Sequence, residues 1–296
     1  MKKILVPIDH SACSDAAAGV AITLAHKAQA EIYFLHLYID YGGHEHVPHG
    51  IEKLQVDRHR QNPTVGMIKD KLAKLVAKAD ALSVKAFPLL IYHDGHERIE
   101  DYIKPYNIDF VVMGSHGVRG IKETILGSNT QRFIRRSPVP VLVVKEQPDD
   151  FSIRKIVFVS SFEEDSIKSF EPVNALAKLW NAEIYLLYVN TPYHFMETNE
   201  SIFEMKRFMH QFPHVAYTPF IYNARDEERG LEEFTKQNPV DVIALGTHGN
   251  KGIFRLLSHG VAEAIINHQR KPVLIMNTSV MEPDRKMLST QEVDMK

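Results

Sequence analysis

Short apolar runs rich in Val, Ile, Phe and Tyr alternate along the chain with longer stretches whose apolar positions recur at helical spacing. In the first half the runs fall at Ile4–Ile8, Ile32–Leu37, Val84–Ile91, Phe110–Met113 and Val139–Val144, a length and composition that predict strands. Helical spacing is found between them near Ser14–Ala28, Thr64–Ala81, Glu97–Tyr106 and Ser128–Arg136. Runs that are apolar on both faces predict strands covered on both sides. The alternation therefore predicts an α/β fold with a parallel, doubly wound sheet and right-handed crossovers.

The pattern is written twice. "KKILVPIDHSACSDAAAGVAITLAHKAQAEIYFLHL" aligns without a gap on "RKIVFVSSFEEDSIKSFEPVNALAKLWNAEIYLLYV" at an offset of 152, and "ERIEDYIKPYNIDFVVMGSHG" aligns on "RGLEEFTKQNPVDVIALGTHG" at an offset of 132. The first copy thus carries a net 20 extra residues (152 minus 132), which should lie between about Asp40 and Ser83. Two tandem domains are expected, residues 1–147 and 154–278, each with its own five-stranded sheet, joined through Glu146–Ser152 and followed by a polar tail, residues 279–296.

Composition narrows the setting. The 296 residues suit two domains of roughly 150 residues each. A net charge of −2 gives no electrostatic reason to expect nucleic acid or an anionic membrane as partner. No run reaches the roughly 18 apolar residues of a membrane span, and "MKKILVPID" lacks the apolar stretch of a signal peptide, so a cytoplasmic protein is expected. The single cysteine, Cys13, cannot form an internal disulfide and reads as a small hydrophobe in a reducing compartment.

The candidate chemistry lies at strand ends. Ligands of such sheets sit beyond the carboxyl ends of the strands where strand order reverses, and both Asp9, after the first strand, and Gly114, after the fourth, would reach that crevice. Glycine permits close approach and positive φ, and Gly127-Ser128 opens a helix whose unpaired N–H groups favour a phosphate. Taken singly, each glycine reads as a turn former or a cap. Jointly, Gly114-x-x-Gly117, nine residues, then Gly127-Ser128, preceded by "ILVPID", resembles the nucleotide-binding motif of the universal stress protein family, spaced as in its ATP-binding members.

The resemblance spans nearly the whole chain as a tandem pair and implies two Rossmann-like sheets of the adenine nucleotide alpha hydrolase type. It also implies ATP, with Mg²⁺ accompanying the nucleotide. On matching positions, Pro7, Ile8 and Asp9 would hold the adenosine and Leu37 would line the adenine pocket. Met113 and Gly114 would flank the ribose, and Gly117, Gly127, Ser128 and Asn129 would cradle the phosphates through backbone N–H groups. His116 is a candidate for the phosphates or Mg²⁺, whereas Arg119 reads as a solvated arginine. Because single-domain members pair through their fifth strands, "VPVLVVK" and "KPVLIMN" are expected to pair internally as a pseudo-dimer, with a homodimer of the tandem chain still open.

The second copy departs from the motif. Ser161 stands in the place of Asp9, Val159 in that of Pro7, and His259-Gly260 in that of Gly127-Ser128, while Gly246 and Gly249 are kept. One nucleotide per chain, in the first domain, is therefore expected. The insert of the first copy holds His44, Glu45, His46, His49 and His59, which are weak metal-ligand candidates because their spacing matches no defined zinc pattern.

Three functions remain in view: regulatory ATP binding, slow ATP hydrolysis or autophosphorylation, and a non-nucleotide scaffold that binds a metal or lipid-like molecule through the insert or the second pocket. No Walker lysine, kinase-type loop or catalytic residue is evident, which favours binding over turnover.

Overall fold

The structure, a computed structural model, describes residues 1–39, 62–115, 127–146, 150–247, 261–277 and 280. The first half runs β1 (Lys3–Pro7), α1 (Ala12–Ala28), β2 (Glu31–Ile39), α2 (Pro63–Asp80), β3 (Ala86–His93), β4 (Phe110–Gly114), α3 (Ser128–Ile134) and β5 (Val141–Val144). The second runs β6 (Lys155–Val159), α4 (Ile167–Trp180), β7 (Glu183–Asn190), α5 (Thr198–Met209), β8 (Tyr217–Asn223), α6 (Glu227–Gln237), β9 (Val242–Thr247), α7 (Val261–His268) and β10 (Val273–Asn277). All ten strands form one sheet in the order β3-β2-β1-β4-β5-β10-β9-β6-β7-β8.

Within each half the neighbouring strands are parallel, as the apolar runs predict. The halves meet where β5 and β10 pair antiparallel, with Val143 opposite Val273, Leu142 opposite Leu274 and Val141 opposite Ile275. The two five-stranded halves thereby join, as the expected pairing of the fifth strands implies, into one sheet of ten strands. The pairing covers what would otherwise be two open edges. The remaining edges, β3 and β8, carry Pro88 and Pro219 in mid-strand, and neither can donate to a further strand.

The repeat is visible in detail at the strands' amino ends. Asp109 accepts from the N–H groups of Lys2 and Lys3, at 2.7 and 3.1 Å, and Asp241 accepts from those of Arg154 and Lys155, at 2.7 and 2.9 Å. Lys3 lies over the ring of Tyr33 and Lys155 over that of Tyr185. α1 ends at Gln29 and α4 at Asn181, both left-handed with φ 53°, and each is followed by an alanine N–H that returns to the last turn.

One expected helix is corrected. In place of Glu97–Tyr106 there is a single 3₁₀ turn, Ile99–Tyr102, whereas the second copy forms the eleven-residue α6 at the equivalent place. Pro105 aligns with Gln237, the last residue of α6 (105 plus 132). There it can only end a helix, and Gly95, at φ 104°, stands in the place of Glu227, the first residue of α6 (95 plus 132), so both ends of the segment depart from the helical copy. The excess of the first copy lies where expected: residues 40–62 join β2 to α2, against residues 191–197 between β7 and α5, and α2 has 18 residues against 12 in α5. Residues 40–61, with the histidine-rich insert, lie outside the described residues.

Leu142 and Leu274 face each other across the junction and are both fully buried. Leu274→Ala should cost about 2–5 kcal/mol in urea unfolding, because it opens a cavity where the two halves share a core.

Candidate functional site

In each half the strand order reverses beside the first strand, between β1 and β4 in one and between β6 and β9 in the other. In the first half, β1 delivers Pro7, Ile8 and Asp9 to this point. Ile8 continues the pairing with β2 by donating its N–H to the Leu35 carbonyl at 2.7 Å. Asp9 is half-buried, and its Oδ1 accepts from Ser11 N at 2.9 Å, which turns the chain into α1, whose N-cap is Ser11.

Across the reversal, β4 brings Met113, which is buried, and then Gly114. A β-carbon on Gly114 would stand 2.7 Å from the Cys13 carbonyl carbon and 2.8 Å from Ser14 N. The glycine is therefore required by the close approach of β4 to the first turn of α1. It does not adopt the positive φ that glycine permits. Neighbouring Ser115 is buried and pins the start of α3: Gly127 N donates to Ser115 O at 2.8 Å, and Thr130 Oγ1 donates to Gly114 O at 3.0 Å.

These bonds change the expected phosphate cradle. The Gly127 N–H is committed to Ser115, so it is not a donor to a ligand. Gly127 is the N-cap of α3 at φ −59°, a conformation open to any residue, and as a glycine it has no side chain with which to cap the helix. The first intrahelical bond runs from Gln131 N to Gly127 O, so the N–H groups of Ser128 and Asn129 have no acceptor within the helix. Ser128 is the first helical residue rather than a cap. Asp9 and the first turn of α3 thus flank one strand reversal. His116 and Gly117 lie outside the described residues, as do His44, His46, His49 and His59.

Leu37 is half-buried and pairs with Ile91 across β2 and β3, and strand alternation turns His36 to the opposite side. His36 is a site feature that sequence reading missed. It stacks on His10, with ring centroids 4.9 Å apart and planes 21° from parallel, and its Nδ1 lies 2.7 Å from the Ile8 carbonyl. A carbonyl only accepts, so Nδ1 carries the proton. His10 adopts φ 63°, and its Nε2 is buried with no hydrogen-bond partner among the described residues. Burial pushes both imidazoles below the ordinary histidine value. For His10 the neighbouring His36 and Lys71 act in the same direction, opposed by Asp15 and Asp9. A histidine directly after the strand-ending Asp9 was the available signal in sequence, but its partner lies 26 positions on (36 minus 10).

The second half fills the equivalent place with aromatic rings. Phe162 takes the position of His10 with nearly the same backbone, φ 60°, and is buried against Phe158 and Phe208 with centroids 6.1 and 5.6 Å away. Tyr188 takes that of His36; its hydroxyl donates to His194 O at 2.6 Å, and burial pushes its phenol up to about 12. In place of the Asp9 turn, Ser160 Oγ accepts from Phe162 N at 3.0 Å. The carboxylate is absent and the adjoining space is packed with phenylalanine. His248, Gly249, His259 and Gly260 lie outside the described residues.

Comparison with known proteins agrees with this duplicated architecture. The model of the universal stress protein family matches residues 1–145 and again residues 152–277. The chain belongs to the universal stress protein family. Two curated universal stress proteins show the resemblance at the level of one half. The protein YxiE of Bacillus subtilis is 30% identical over 152 residues, which cover 48% of this chain and 98% of YxiE. MJ0577 of Methanocaldococcus jannaschii is 29% identical over 93 residues, 31% of this chain and 57% of that protein. At the level of the whole chain, the crystal structure of a universal stress protein from Archaeoglobus fulgidus superimposes with a TM-score of 0.67 at 17% identity, covering 93% of this chain and 96% of that one. This last likeness is one of fold.

Two predictions follow from the geometry of this universal stress protein. Gly114→Ala should destabilise it by about 1–3 kcal/mol in denaturant unfolding, since the backbone of α1 must give way. Because the folded values of His10 and His36 lie below those of the unfolded chain, the unfolded state binds more protons as pH falls through the histidine range. Stability should be greatest above that range and decline through it. Thermal unfolding between pH 7.5 and 5.5 should show the decline, and His10→Phe, whose backbone Phe162 already tolerates, should flatten it.

Proposed function

We propose that the first half, residues 1–147, binds ATP at the reversal between β1 and β4, and that occupancy of this site serves a regulatory role in a cytoplasmic stress response. The observation that carries the reading is the convergence of Asp9 and the first turn of α3 on that one point. Asp9 has a carboxylate to offer a ribose or base, and the Ser128 and Asn129 N–H groups suit a phosphate at the positive end of the helix. Pro7, Ile8, Leu37 and Met113 form the apolar surroundings of the nucleoside. Among the described residues no cluster of three potential ligands stands ready for a metal. Mg²⁺ would therefore enter on the phosphates rather than in a protein cage, as its preference for retained waters allows.

The second half, residues 154–278, is the architectural partner, because Ser161 and Val159 stand where the site has Asp9 and Pro7, and Phe162 packs the adjoining space. No helix among the described residues is long and apolar enough to cross a membrane. Occupancy rather than turnover is the proposed output.

Calorimetric titration of the nucleotide-stripped protein with ATP and Mg²⁺ should saturate at one nucleotide per chain. Asp9→Ala should weaken binding about tenfold or more, the worth of a hydrogen bond to a charged group. Gly127→His should keep the fold, since its φ is unrestrictive, and obstruct the ligand. Two equivalent sites, or an unaffected Gly127→His, would overturn the assignment.

A further inference from the structure

Lys145 follows β5 at the ligand end of the first half and sends its ammonium across the domain boundary to the Asn267 carbonyl in the last turn of α7. Its counterpart is Asn277 (145 plus 132), whose amide donates at 2.8 Å to the carbonyl of Arg135, the C-cap of α3. Arg135 is in turn the counterpart of Asn267 (135 plus 132). The same clasp is thus made twice, once in each direction across the junction. A neutral amide makes one and a cation the other. The clasp needs a donor, not a charge.

The charge is costly where it stands. Lys145 is half-buried, and burial pushes its ammonium below the ordinary lysine value. Glu146 and Cys13 oppose that shift, and Arg270 adds to it. Among the described residues no carboxylate reaches it as a salt-bridge partner. A half-buried cation with no salt bridge among the described residues is more than the clasp requires, since asparagine does the mechanical work at the pseudo-symmetric place.

Its position says what would compensate it. Val144, the preceding residue, accepts from Ser115 N at 3.0 Å, and Ser115 O accepts from Gly127 N at 2.8 Å. Two hydrogen bonds therefore lead from the residue before Lys145 to the first turn of α3. We propose that Lys145 binds the anionic, polyphosphate part of the ligand of the first half, with the second half holding the ammonium in place through Asn267. The nucleotide reading supplies only the ligand's identity; the need for an anion rests on Lys145 itself.

The test is Lys145→Asn, which copies the second half and retains a donor for the clasp. Wild type and variant are titrated with ATP, with adenosine and with inorganic triphosphate, and their thermal unfolding is compared. The variant should bind ATP and triphosphate about tenfold or more weakly, while adenosine affinity stays unchanged and thermal stability is kept or raised, since a half-buried charge is removed. Unchanged ATP and triphosphate affinity in the variant would overturn the proposal, and so would a parallel loss of adenosine binding with a lowered melting temperature, which marks a structural role. Wild type that binds triphosphate but not adenosine would refute the nucleotide reading and leave the anion site standing, provided that the variant loses triphosphate. Wild type that binds neither anion would refute the site.

Discussion

The antiparallel pairing of β5 with β10 is the constraint from which the remaining architecture follows. A five-stranded doubly wound sheet leaves its fifth strand as an edge, with a row of backbone donors and acceptors and an apolar face on either side. Here each half supplies the other's cover. Val141, Leu142 and Val143 meet Ile275, Leu274 and Val273, all buried, and ten strands become a single sheet. Because the pairing is antiparallel, the carboxyl end of β5 lies beside the amino end of β10. That contact brings the last turn of α7 against the ligand end of the first half, and the last turn of α3 against the equivalent end of the second. A tandem chain makes this arrangement intramolecular, so the two ends can differ in ways that two identical subunits could not.

The differences are distributed unevenly. At the amino ends of the strands the two halves repeat each other: Asp109 and Asp241 tie down the first strands, Lys3 and Lys155 cover Tyr33 and Tyr185, and Gln29 and Asn181 close the first helices in the same left-handed conformation. At the carboxyl ends they diverge. Asp9 faces Ser161 in the alignment, His10 faces Phe162, His36 faces Tyr188 and Lys145 faces Asn277. The amino-end contacts satisfy backbone N–H groups and carry the turn geometry that both halves share. Where the first half has Asp9 and His10, the second half gains instead from burying Phe162 against Phe158 and Phe208.

Much of this was legible in the sequence, because strand alternation, helix spacing and an ungapped repeat are local or periodic signals. The α/β class, the strand runs, the place of the insertion and the expected pairing of the fifth strands all rest on such patterns. Other features were hidden because they depend on neighbours distant in the chain. The helix expected over Glu97–Tyr106 runs across Pro105, and only the 3₁₀ turn Ile99–Tyr102 forms there. Gly114 reads as part of a ligand motif, yet the contact that requires it is with the backbone of Cys13 and Ser14. Gly127 reads as a phosphate donor, while its N–H closes on Ser115. The stacking of His10 on His36 joins two residues that no single motif contains.

The pinned start of α3 shows how one set of bonds can serve both fold and site. Gly127 N to Ser115 O and Thr130 Oγ1 to Gly114 O fix the helix to the end of β4, while Ser115 N to Val144 O fixes that end to β5. The far end of α3 is held by Asn277 through the Arg135 carbonyl. A seven-residue helix is too short to be stable by itself, and its order derives from these anchors together with the burial of Thr130, Phe133 and Ile134. Its first-turn N–H groups are consequently fixed by the fold, so at the proposed nucleotide site the cost of ordering them would be met by folding and not by binding. The same anchoring ties the geometry of the first half's site to residues of the second. A half whose own motif has changed thereby remains necessary to the half whose motif is intact.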